Sequence, residues 1–414
     1  HGRLHLSQKD KMMSELTRVF PNDAHKYEQY LEWETKRYRH TIPLLERIYR
    51  NHTDVINWQS VKALPYLTLS QSMNGFLGKY YNDEHLRLSF SFQAKYLGMS
   101  PWDCPAFFGL IPFVEHAYGV YHVEGGMSQI SNAMSKVFEE SGGKLRLNTP
   151  VKQLVMRGKA VTGIELENGD VEPVDEVVMN ADFGYAMSKL IPNSEQLLSK
   201  WRPSNLQRKK FSCSTFMMYI SLDKFYPELQ HHVISFADDY QTNMKTIANG
   251  TLVDDFSIYV RNATMTDPTL SPEGKSGLYV LVPIPNMLKD KSTDWNDPKV
   301  IAQMREKTLR HLEHRTGLKD LRDHIEAEKI FTPFTWHHEE NVHQGAVFSL
   351  SHNILQLLTF RPRNKFEELD NVFLAGAGTH PGSGLPTIYE SGRIVTDLIC
   401  QKYGVNYDRE SHLE

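Results

Sequence analysis

Cysteine is scarce in this sequence, and its pattern excludes two kinds of structural site. The three cysteines, Cys104, Cys213 and Cys400, lie far apart, and no C-x-x-C spacing occurs. The sequence therefore predicts neither a disulfide framework nor a zinc site, and a reducing, cytoplasmic compartment fits it best. The pairs His231-His232 and His337-His338 lack the spacing of metal ligands, so no metal site is predicted.

Long hydrophobic runs and an excess of positive charge are also missing. A spanning helix needs about 18–20 apolar residues, whereas the nearest stretch, residues 106–114, is short and interrupted by Gly109 and Pro112. The formal net charge of -4 argues against a general nucleic-acid binder, which is normally basic. Contact with a membrane surface stays open, because a local patch can dock a protein whose total charge is negative.

The N-terminus shows neither an initiator Met nor the pattern of a signal peptide, since the chain opens His1-Gly2-Arg3-Leu4. A G-x-G-x-x-G turn occurs nowhere. The start of the chain predicts a fragment. Its length of 414 residues still exceeds the size at which one hydrophobic core stops growing, so two packed regions are expected.

The patterning predicts a helical first part followed by mixed helix and sheet. Helical spacing of apolar residues begins in residues 5–58 and continues in patches to about residue 118. Arg157-Gly158-Lys159 and Asn168-Gly169 predict hairpin turns. A C-terminal helix is predicted from about Thr387 to Lys402. Strands are predicted over residues 145–147, 151–156, 160–166, 176–180, 214–222, 279–282 and 372–375.

The most informative motif runs from Asn371 to Pro386. A buried strand leads into four glycines within nine residues, and a helix follows. Glycines let a backbone approach a ligand closely, and free N–H groups at a helix start favour a phosphate or a negatively charged ring. Pro381 stands where a dinucleotide fingerprint needs its third glycine. On spacing alone, a tight structural turn and a cofactor turn both fit.

Residues 379–386, Thr-His-Pro-Gly-Ser-Gly-Leu-Pro, resemble the C-terminal FAD signature of bacterial and fungal carotenoid desaturases. The resemblance covers nearly the whole chain in the family's order. It implies an α/β flavoprotein of the amine-oxidase and GDI-like superfamily, with a β-rich substrate domain and a helical membrane-facing region. Further matching segments are residues 125–126, 142–143, 147–151, 177–182, 252–259, 266–274, 331–334 and 360–364.

The same resemblance implies a division of the chain. Residues 1–120 would form the helical substrate- and membrane-facing region, and residues 121–190 the central part of the FAD-binding domain. Residues 191–365 would form the substrate domain, and residues 366–414 the C-terminal part of the FAD-binding domain. The family's dinucleotide-binding strand, turn and helix would lie upstream of His1, so we expect this chain to hold FAD weakly or not at all.

The reaction implied by the resemblance removes two hydrogens from adjacent carbons of an acyclic carotene, with phytoene as the favoured substrate. FAD would accept the hydride, and a quinone or oxygen would finally take the electrons. The protein would be cytoplasmic and peripheral on the membrane, bound to a lipophilic isoprenoid. By resemblance, the residues that would line FAD are Val151, Gly376, Gly378, Gly382, Gly384 and Leu385.

Three residues are candidates for catalysis. His380 would polarise the flavin or handle a proton, although a turn histidine that bonds backbone fits equally. Glu115 and His116 follow an apolar stretch and would serve as acid–base partners in a substrate tunnel, or else are ordinary helix residues. Arg361 and Arg363 are read either as FAD neighbours or as surface arginines.

An apolar set of residues and a basic segment each have two possible interpretations. Residues 107–114, with Met127 and Met217-Met218, would line a hydrocarbon tunnel or simply form core. Residues 207–211 would touch anionic head groups or form a solvated charge run.

Other functions stay open at this point. Within the family, the run from Gly384 to Glu390 resembles enzymes acting on diapophytoene, the shorter-chain analogue, or on hydroxylated or methoxylated neurosporene. Outside it, a non-catalytic isoprenoid-binding escort protein would share the fold and lack a working flavin site. A flavin amine oxidase would need an aromatic cage, and His380-Pro381-Gly382 argues against it.

Overall fold

The computed structural model describes Leu4 and residues 9–407. Its α-helices are α1 Lys9–Val19, α2 Tyr27–Leu45, α3 Trp58–Leu67, α4 Met73–Leu77, α5 Glu84–Ser89, α6 Leu110–Tyr118, α7 Ser128–Glu140, α8 Phe183–Tyr185, α9 Ser194–Leu197, α10 Pro203–Leu206, α11 Tyr240–Asn249, α12 Pro298–Thr316, α13 Pro333–His338 and α14 Leu385–Tyr403. Its strands are β1 Val151–Arg157, β2 Ala160–Leu166, β3 Val171–Pro173, β4 Val177–Met179, β5 Ser214–Leu222, β6 His232–Ser235, β7 Ile258–Asn262, β8 Ser276–Ile284, β9 Ile325–Phe331 and β10 Val372–Leu374.

Contacts divide the chain into two compact units. Unit 1 comprises His1–Gly119, Pro150–Ser212 and Phe348–Glu414, and unit 2 comprises Val120–Thr149 and Cys213–Val347. These boundaries differ from the ranges that the resemblance implies. Residues 121–149 cluster with the β-rich unit, whereas residues 150–190 cluster with the first helices.

Unit 1 begins with a helical cluster around α2. Its buried core is rich in aromatic side chains, including Tyr27, Tyr30, Tyr81 and Phe90. The pattern from Asp83 to Leu97 predicts helix, and the structure has two pieces there, α5 and a 3₁₀ helix over Phe92–Leu97. Among the described residues, none of the helices is both long enough and apolar enough to traverse a bilayer.

The strands of unit 1 form two small sheets. β1, β2 and β3 make an antiparallel meander, and its two turns fall at the Gly158 and Asn168-Gly169 positions that the sequence predicts. β4 and β10 pair in parallel, with Val372 opposite Val177 and Leu374 opposite Met179. The apolar run at residues 176–180 is typical of a strand buried on both faces, and this prediction is wrong, since Val178 points outward and is 48% exposed.

Unit 2 is built on a five-stranded sheet in the order β6-β7-β8-β5-β9. β5 and β8 run antiparallel over nine residue pairs, from Ser214 opposite Ile284 to Leu222 opposite Ser276. α12 covers this core through Leu309 and Leu312, which are fully buried.

One predicted strand is missing from unit 2. Residues 145–147 alternate in polarity as a strand would, but they are irregular in the structure. Within the part of the chain that the structure describes, no strand pairs with them, and a strand is stable only with a partner for its backbone groups. The preceding helix α7 ends at Glu140, and Gly142, whose φ is +87°, lies two residues beyond its end.

Candidate cofactor site

The turn after β10 is positioned by the parallel pair β4 and β10. The carboxyl ends of parallel strands meet at the same sheet edge, and the Ala375 N–H donates to the Met179 carbonyl at 3.1 Å. Gly376 follows with a φ of +103°, and its N–H donates to Ser391 Oγ on α14 at 2.8 Å. The turn is therefore tied both to the sheet before it and to the helix after it.

Two glycines of this turn are required by close packing. A Cβ at Gly378 would lie 2.3 Å from Cβ of Phe183, and a Cβ at Gly382 would lie 2.5 Å from Nε2 of His352. Real Cβ atoms do not approach this closely, so any larger residue would displace the turn. The glycine spacing thus has a structural cause, whether or not a ligand is bound.

Arg361 fixes the backbone of the turn at Ala377 and Thr379. The side chain is fully buried, and its guanidinium donates five hydrogen bonds to carbonyl groups. The interpretation of Arg361 as a surface arginine is therefore wrong, and Arg363 is half-buried. Burial lowers the pKa of Arg361 to about 9. The five accepting carbonyls are those of Thr379 at 3.0 Å, Ala377 at 2.7 Å, Leu350 at 3.0 Å, Gln356 at 3.1 Å and Ser351 at 3.5 Å.

Three further side chains fix the backbone of the turn. His352 Nε2 accepts the Ser383 N–H at 3.0 Å, and Thr379 Oγ1 donates to the Pro362 carbonyl at 2.7 Å. Asn364 Nδ2 donates to the His380 carbonyl at 2.8 Å. Burial and the charge of Arg361 hold the pKa of His352 well below its usual range, so the histidine stays neutral and can accept this bond.

His380 lies inside the turn with its ring packed edge-on against Tyr49, with ring centroids 4.9 Å apart. The side chain is buried. Burial lowers its pKa to about 3; backbone groups of Leu45 and Arg47 oppose the shift and the charge of Arg361 adds to it. A histidine with this pKa stays neutral at physiological pH. Its proposed role toward the flavin stays a prediction.

The start of α14 is the open part of the motif. Gly384 is the N-cap residue with a φ of +112°, and it has no side chain to cap the helix. Gly384, Leu385 and Pro386 are exposed, whereas Gly378 to Ser383 are buried. The first N–H groups and the positive end of the helix dipole are therefore available to an electron-rich group. This arrangement fits the edge of a flavin ring, as the resemblance implies.

Val151, the predicted adenine neighbour, lies elsewhere in unit 1. It is the first residue of β1 and pairs with Leu166 of β2 in the meander. Its half-buried position is that of an ordinary strand residue, and a backbone contact with FAD stays a prediction.

Glu115 and His116 belong to α6 in the helical cluster. Burial raises the pKa of Glu115 to about 7 against the opposing hydrogen bonds of Gln93 and Tyr96; Gln93 Nε2 donates to its carboxylate at 2.9 Å. His116 is buried, with its ring centroid 4.9 Å from that of Phe90. Glu115 can therefore change its protonation near neutral pH, while a catalytic role for either residue stays a prediction.

The sequence analysis missed a second buried carboxyl in the same cluster. Glu34 and Arg37 on α2 form an ion pair, Oε1 to Nη1, at 3.0 Å, and neither side chain is exposed. Burial raises the pKa of Glu34 to about 7, and the charge of Arg37 opposes that shift. Arg37 also donates to the Ala106 carbonyl and to Thr68 Oγ1. An acidic and a basic residue three positions apart on a helix usually form a solvent-exposed salt bridge. The sequence pattern therefore gave no indication that this pair is buried.

The residues proposed for a hydrocarbon tunnel are core residues in the structure. Phe107 and Phe108 pack in an apolar cluster of unit 1, and Met217 and Met218 are buried on β5 of unit 2. Met127, next to α7, is exposed. Residues 207–211 are exposed or half-buried, which leaves the head-group interpretation a prediction.

Comparison with known proteins gives a consistent family assignment. The family model described as flavin containing amine oxidoreductase matches residues 2–400. The chain is 48% identical over 407 residues to a 4,4′-diapophytoene desaturase (4,4′-diapolycopene-forming) of Methylomonas sp, covering 98% of this chain and 78% of that protein. It is 36% identical over 404 residues to an all-trans-zeta-carotene desaturase of Myxococcus xanthus, covering 95% of this chain and 74% of that protein.

A solved structure gives the same fold. An oxidoreductase from Methanosarcina mazei superimposes with a TM-score of 0.52 at 14% identity, covering 84% of this chain and 74% of that one. At this low sequence identity the structural similarity is evidence for the fold alone. It agrees with the fold that the family match indicates, and the family match and the two desaturases confirm the FAD dependence that residues 379–386 imply. The chain belongs to the flavin-containing amine oxidoreductase family and, within it, to the FAD-dependent carotenoid desaturases.

Proposed function

We propose that this enzyme desaturates 4,4′-diapophytoene, the shorter-chain analogue of phytoene. The observation that carries this choice is the 48% identity, over 98% of the chain, to a desaturase named for that substrate. The similarity to a zeta-carotene desaturase is weaker, at 36%. Phytoene, which the sequence analysis favours, therefore becomes the second candidate.

The chemistry of desaturation assigns different roles to the cofactor and to the protein. FAD supplies the hydride acceptor that no side chain can provide. The chain contributes a rigid turn, held by Arg361 and His352, and an uncapped helix start at Gly384 that faces outward. A carboxyl with a pKa of about 7, such as Glu115 or Glu34, suits the uptake of the proton that leaves with the hydride.

Two further points extend the proposal. We propose that the enzyme works in the cytoplasm at a membrane surface, because a carotene partitions into lipid rather than water. We also propose that a quinone or oxygen reoxidises the flavin. Reoxidation rates of the reduced enzyme with each acceptor would identify which one is used.

The test compares two matched bacterial strains, one producing diapophytoene and the other phytoene, each expressing the complete gene of this protein. New banded absorption in pigment extracts reports conjugated double bonds. We expect it in the diapophytoene strain, with weaker or no colour in the phytoene strain. Colour only in the phytoene strain would overturn the substrate proposal. A colourless extract from protein that carries no flavin would instead favour the escort function.

A further inference from the structure

The five-stranded sheet of unit 2 has one packed face and one face with partly exposed aromatic side chains. The packed face contributes residues such as Ile220 and Val260 to the core that α12 covers. Because side chains alternate along a strand, Tyr219 and Tyr259 point to the opposite face. Tyr219 is 40% exposed and Tyr259 is half-buried. Neighbouring large side chains left partly in water indicate a binding surface.

The register of the strands arranges this second face in two rows that cross the sheet. In one row, Tyr279 of β8 lies opposite Tyr219 of β5 on one side and opposite Arg261 of β7 on the other. The neighbouring row is apolar or aromatic throughout, and a strand spacing of about 4.8 Å gives it a length of about 19 Å. Its members, from β9 to β6, are Phe331, Met217, Leu281, Tyr259 and Ile234. We call these five residues, with Tyr219, Tyr279 and Arg261, the aromatic face.

The rings of the aromatic face lie in contact with one another. The ring centroid of Tyr219 lies 5.6 Å from that of Phe331 and 5.3 Å from that of Tyr279. Tyr279 in turn lies 5.9 Å from Tyr259. A continuous series of aromatic rings offers a flat apolar surface, which suits an extended and conjugated hydrocarbon chain.

Arg261 is a cation of this face that has no acidic partner among the described residues. It is half-buried, and in the described part of the chain its side chain makes one hydrogen bond, from Nε to His231 Nε2 at 3.4 Å. His231 bonds Thr266 Oγ1 through Nδ1 at 2.7 Å, which leaves Nε2 as the acceptor. Burial lowers the pKa of His231 to about 4, so this histidine is neutral and does not compete for the charge. The two terminal nitrogens of Arg261 can therefore bind a ligand.

Asp267, the acid in the loop after β7, is already saturated. Its Oδ2 bonds His122 Nε2 at 2.9 Å and accepts the Gly125 N–H at 2.8 Å. Its Oδ1 accepts the backbone N–H of Thr269 at 3.1 Å and the hydroxyl of that residue at 2.5 Å. A half-buried guanidinium fork without an acid has the geometry and the charge to bind a carboxylate.

We propose that the aromatic face binds an acyclic isoprenoid chain that ends in a carboxylate, with the chain along the apolar row and the carboxylate on Arg261. A pure hydrocarbon offers no group that could pair with this arginine. The inference rests on the proposed function and deepens it, because it widens the substrate class from acyclic hydrocarbons to acids of the same kind of chain. Desaturation of such an acid removes the same two hydrogens, a hydride to the flavin and a proton to a base, so it needs no further co-reactant.

The test titrates the full-length protein with all-trans-retinoic acid, an isoprenoid polyene carboxylate, and with all-trans-retinol, which has the same chain without the charge. Quenching of tryptophan fluorescence reports binding, since the ring of Trp336 lies 5.0 Å from that of Phe331. We expect retinoic acid to bind at least about tenfold more tightly than retinol, because a charge-assisted pair forms with the acid alone. Arg261→Met should lower the affinity for retinoic acid about tenfold and remove the preference.

The matched control is Arg310→Met. It removes a cation of the same unit from α12, on the other side of the sheet, where the side chain is 58% exposed, and it should leave both affinities unchanged. Tyr219→Ser should lower both affinities about threefold or more and keep the preference for the acid. This pattern separates the loss of a ring from the loss of the charge, and thermal unfolding checks that each variant is folded.

Equal wild-type affinities for the acid and the alcohol would overturn the proposal, as would an Arg261→Met protein that keeps the preference. Palmitic acid that displaces retinoic acid at equal concentration would assign the face to fatty acids and contradict the isoprenoid chain. A dimer in analytical ultracentrifugation that Tyr219→Ser abolishes would assign the face to a second copy instead. Binding needs no turnover, so a wrong substrate in the pigment test leaves this result unchanged.

Discussion

Among the described residues of unit 1, two arginines are fully buried, and their charges are stabilised in different ways. Arg37, in the helical cluster, pairs with Glu34 and lies 4.5 Å from the ring centroid of Phe76. Arg361, beneath the cofactor turn, is held by five carbonyl groups. The charge of Arg37 is compensated by the opposite charge of Glu34. The charge of Arg361 is not compensated by an acid and is stabilised only by the dipoles of the carbonyl groups around it.

The difference separates two functions of a buried cation. An ion pair can be replaced by apolar residues of similar volume at little cost, because both charges leave together. A cation that satisfies five carbonyls cannot be replaced in this way, since those carbonyls belong to the backbone and remain. Arg361 is therefore expected to determine the conformation of residues 377–379, and Arg37 to be exchangeable as one half of a pair.

The largest effect is expected from Arg361→Met. It leaves five buried carbonyls without their donor, and each unsatisfied group costs roughly 1–3 kcal/mol. We expect the free energy of unfolding to fall by about 4 kcal/mol or more, with loss of bound flavin, measured by urea titration and flavin fluorescence. Arg363→Met, a half-buried neighbour, is the control and should cost less than about 1 kcal/mol. An Arg361→Met protein as stable as this control would contradict the assigned role.

The next effect is expected from Arg37→Met. It removes the charge that holds the pKa of Glu34 down, so Glu34 must either take up a proton or remain an uncompensated buried carboxylate, and we expect a cost of about 3 kcal/mol at neutral pH. The double variant Glu34→Leu/Arg37→Met should recover most of that loss. Chemical denaturation of the two single variants and the double variant gives the coupling energy between the residues. A double variant less stable than Arg37→Met would show that the two charges act independently.

A smaller effect is expected at a glycine of the turn. Gly378→Ala forces a Cβ into Phe183, and overpacking of this kind costs about 2 kcal/mol. Gly392→Ala, within α14, meets no atom within 4 Å, so it should instead stabilise the protein by ~0.5–1 kcal/mol through helix propensity. Thermal unfolding of both variants distinguishes a required glycine from a permitted one. Equal melting temperatures would contradict the close packing.

The smallest effect concerns pH and the charge of Glu34. Its folded pKa of about 7 lies above its ordinary value, so the native state holds more protons than the unfolded state between these values. Stability from this group therefore falls as pH rises from about 5 to about 8. The free energy of unfolding is measured against pH for the wild type and for Glu34→Gln, and the difference between the two curves removes the contribution of the buried histidines. We expect this difference to decline by about 1–2 kcal/mol over that pH range. A flat difference would contradict the raised pKa.

The strand and turn predictions succeed where local pattern and tertiary packing agree. β2 and β5 have the predicted bounds, and the glycine at 158 marks the predicted turn. The family resemblance of residues 379–386 predicts a cofactor turn there, whereas spacing alone leaves two interpretations open.

The failures share one physical cause, which is that burial depends on distant partners. Arg361 follows Phe360 in a segment with no regular periodicity, and its acceptors come from residues up to 18 positions away. Glu34 and Arg37 have the spacing of a solvent-exposed salt bridge. Residues 145–147 alternate like a strand, yet alternation cannot supply the neighbouring strand.

The parallel pairing of β4 with β10 has a consequence for how the chain folds during synthesis. The partners of this pair, Val177 and Val372, are separated by the whole of residues 213–347, the main part of unit 2. That sheet is closed by antiparallel pairings within its own segment, so it can form while the ribosome is still making the C-terminal part. The cofactor turn can be assembled only after β10 emerges, so flavin capture is expected to be a late, post-translational event.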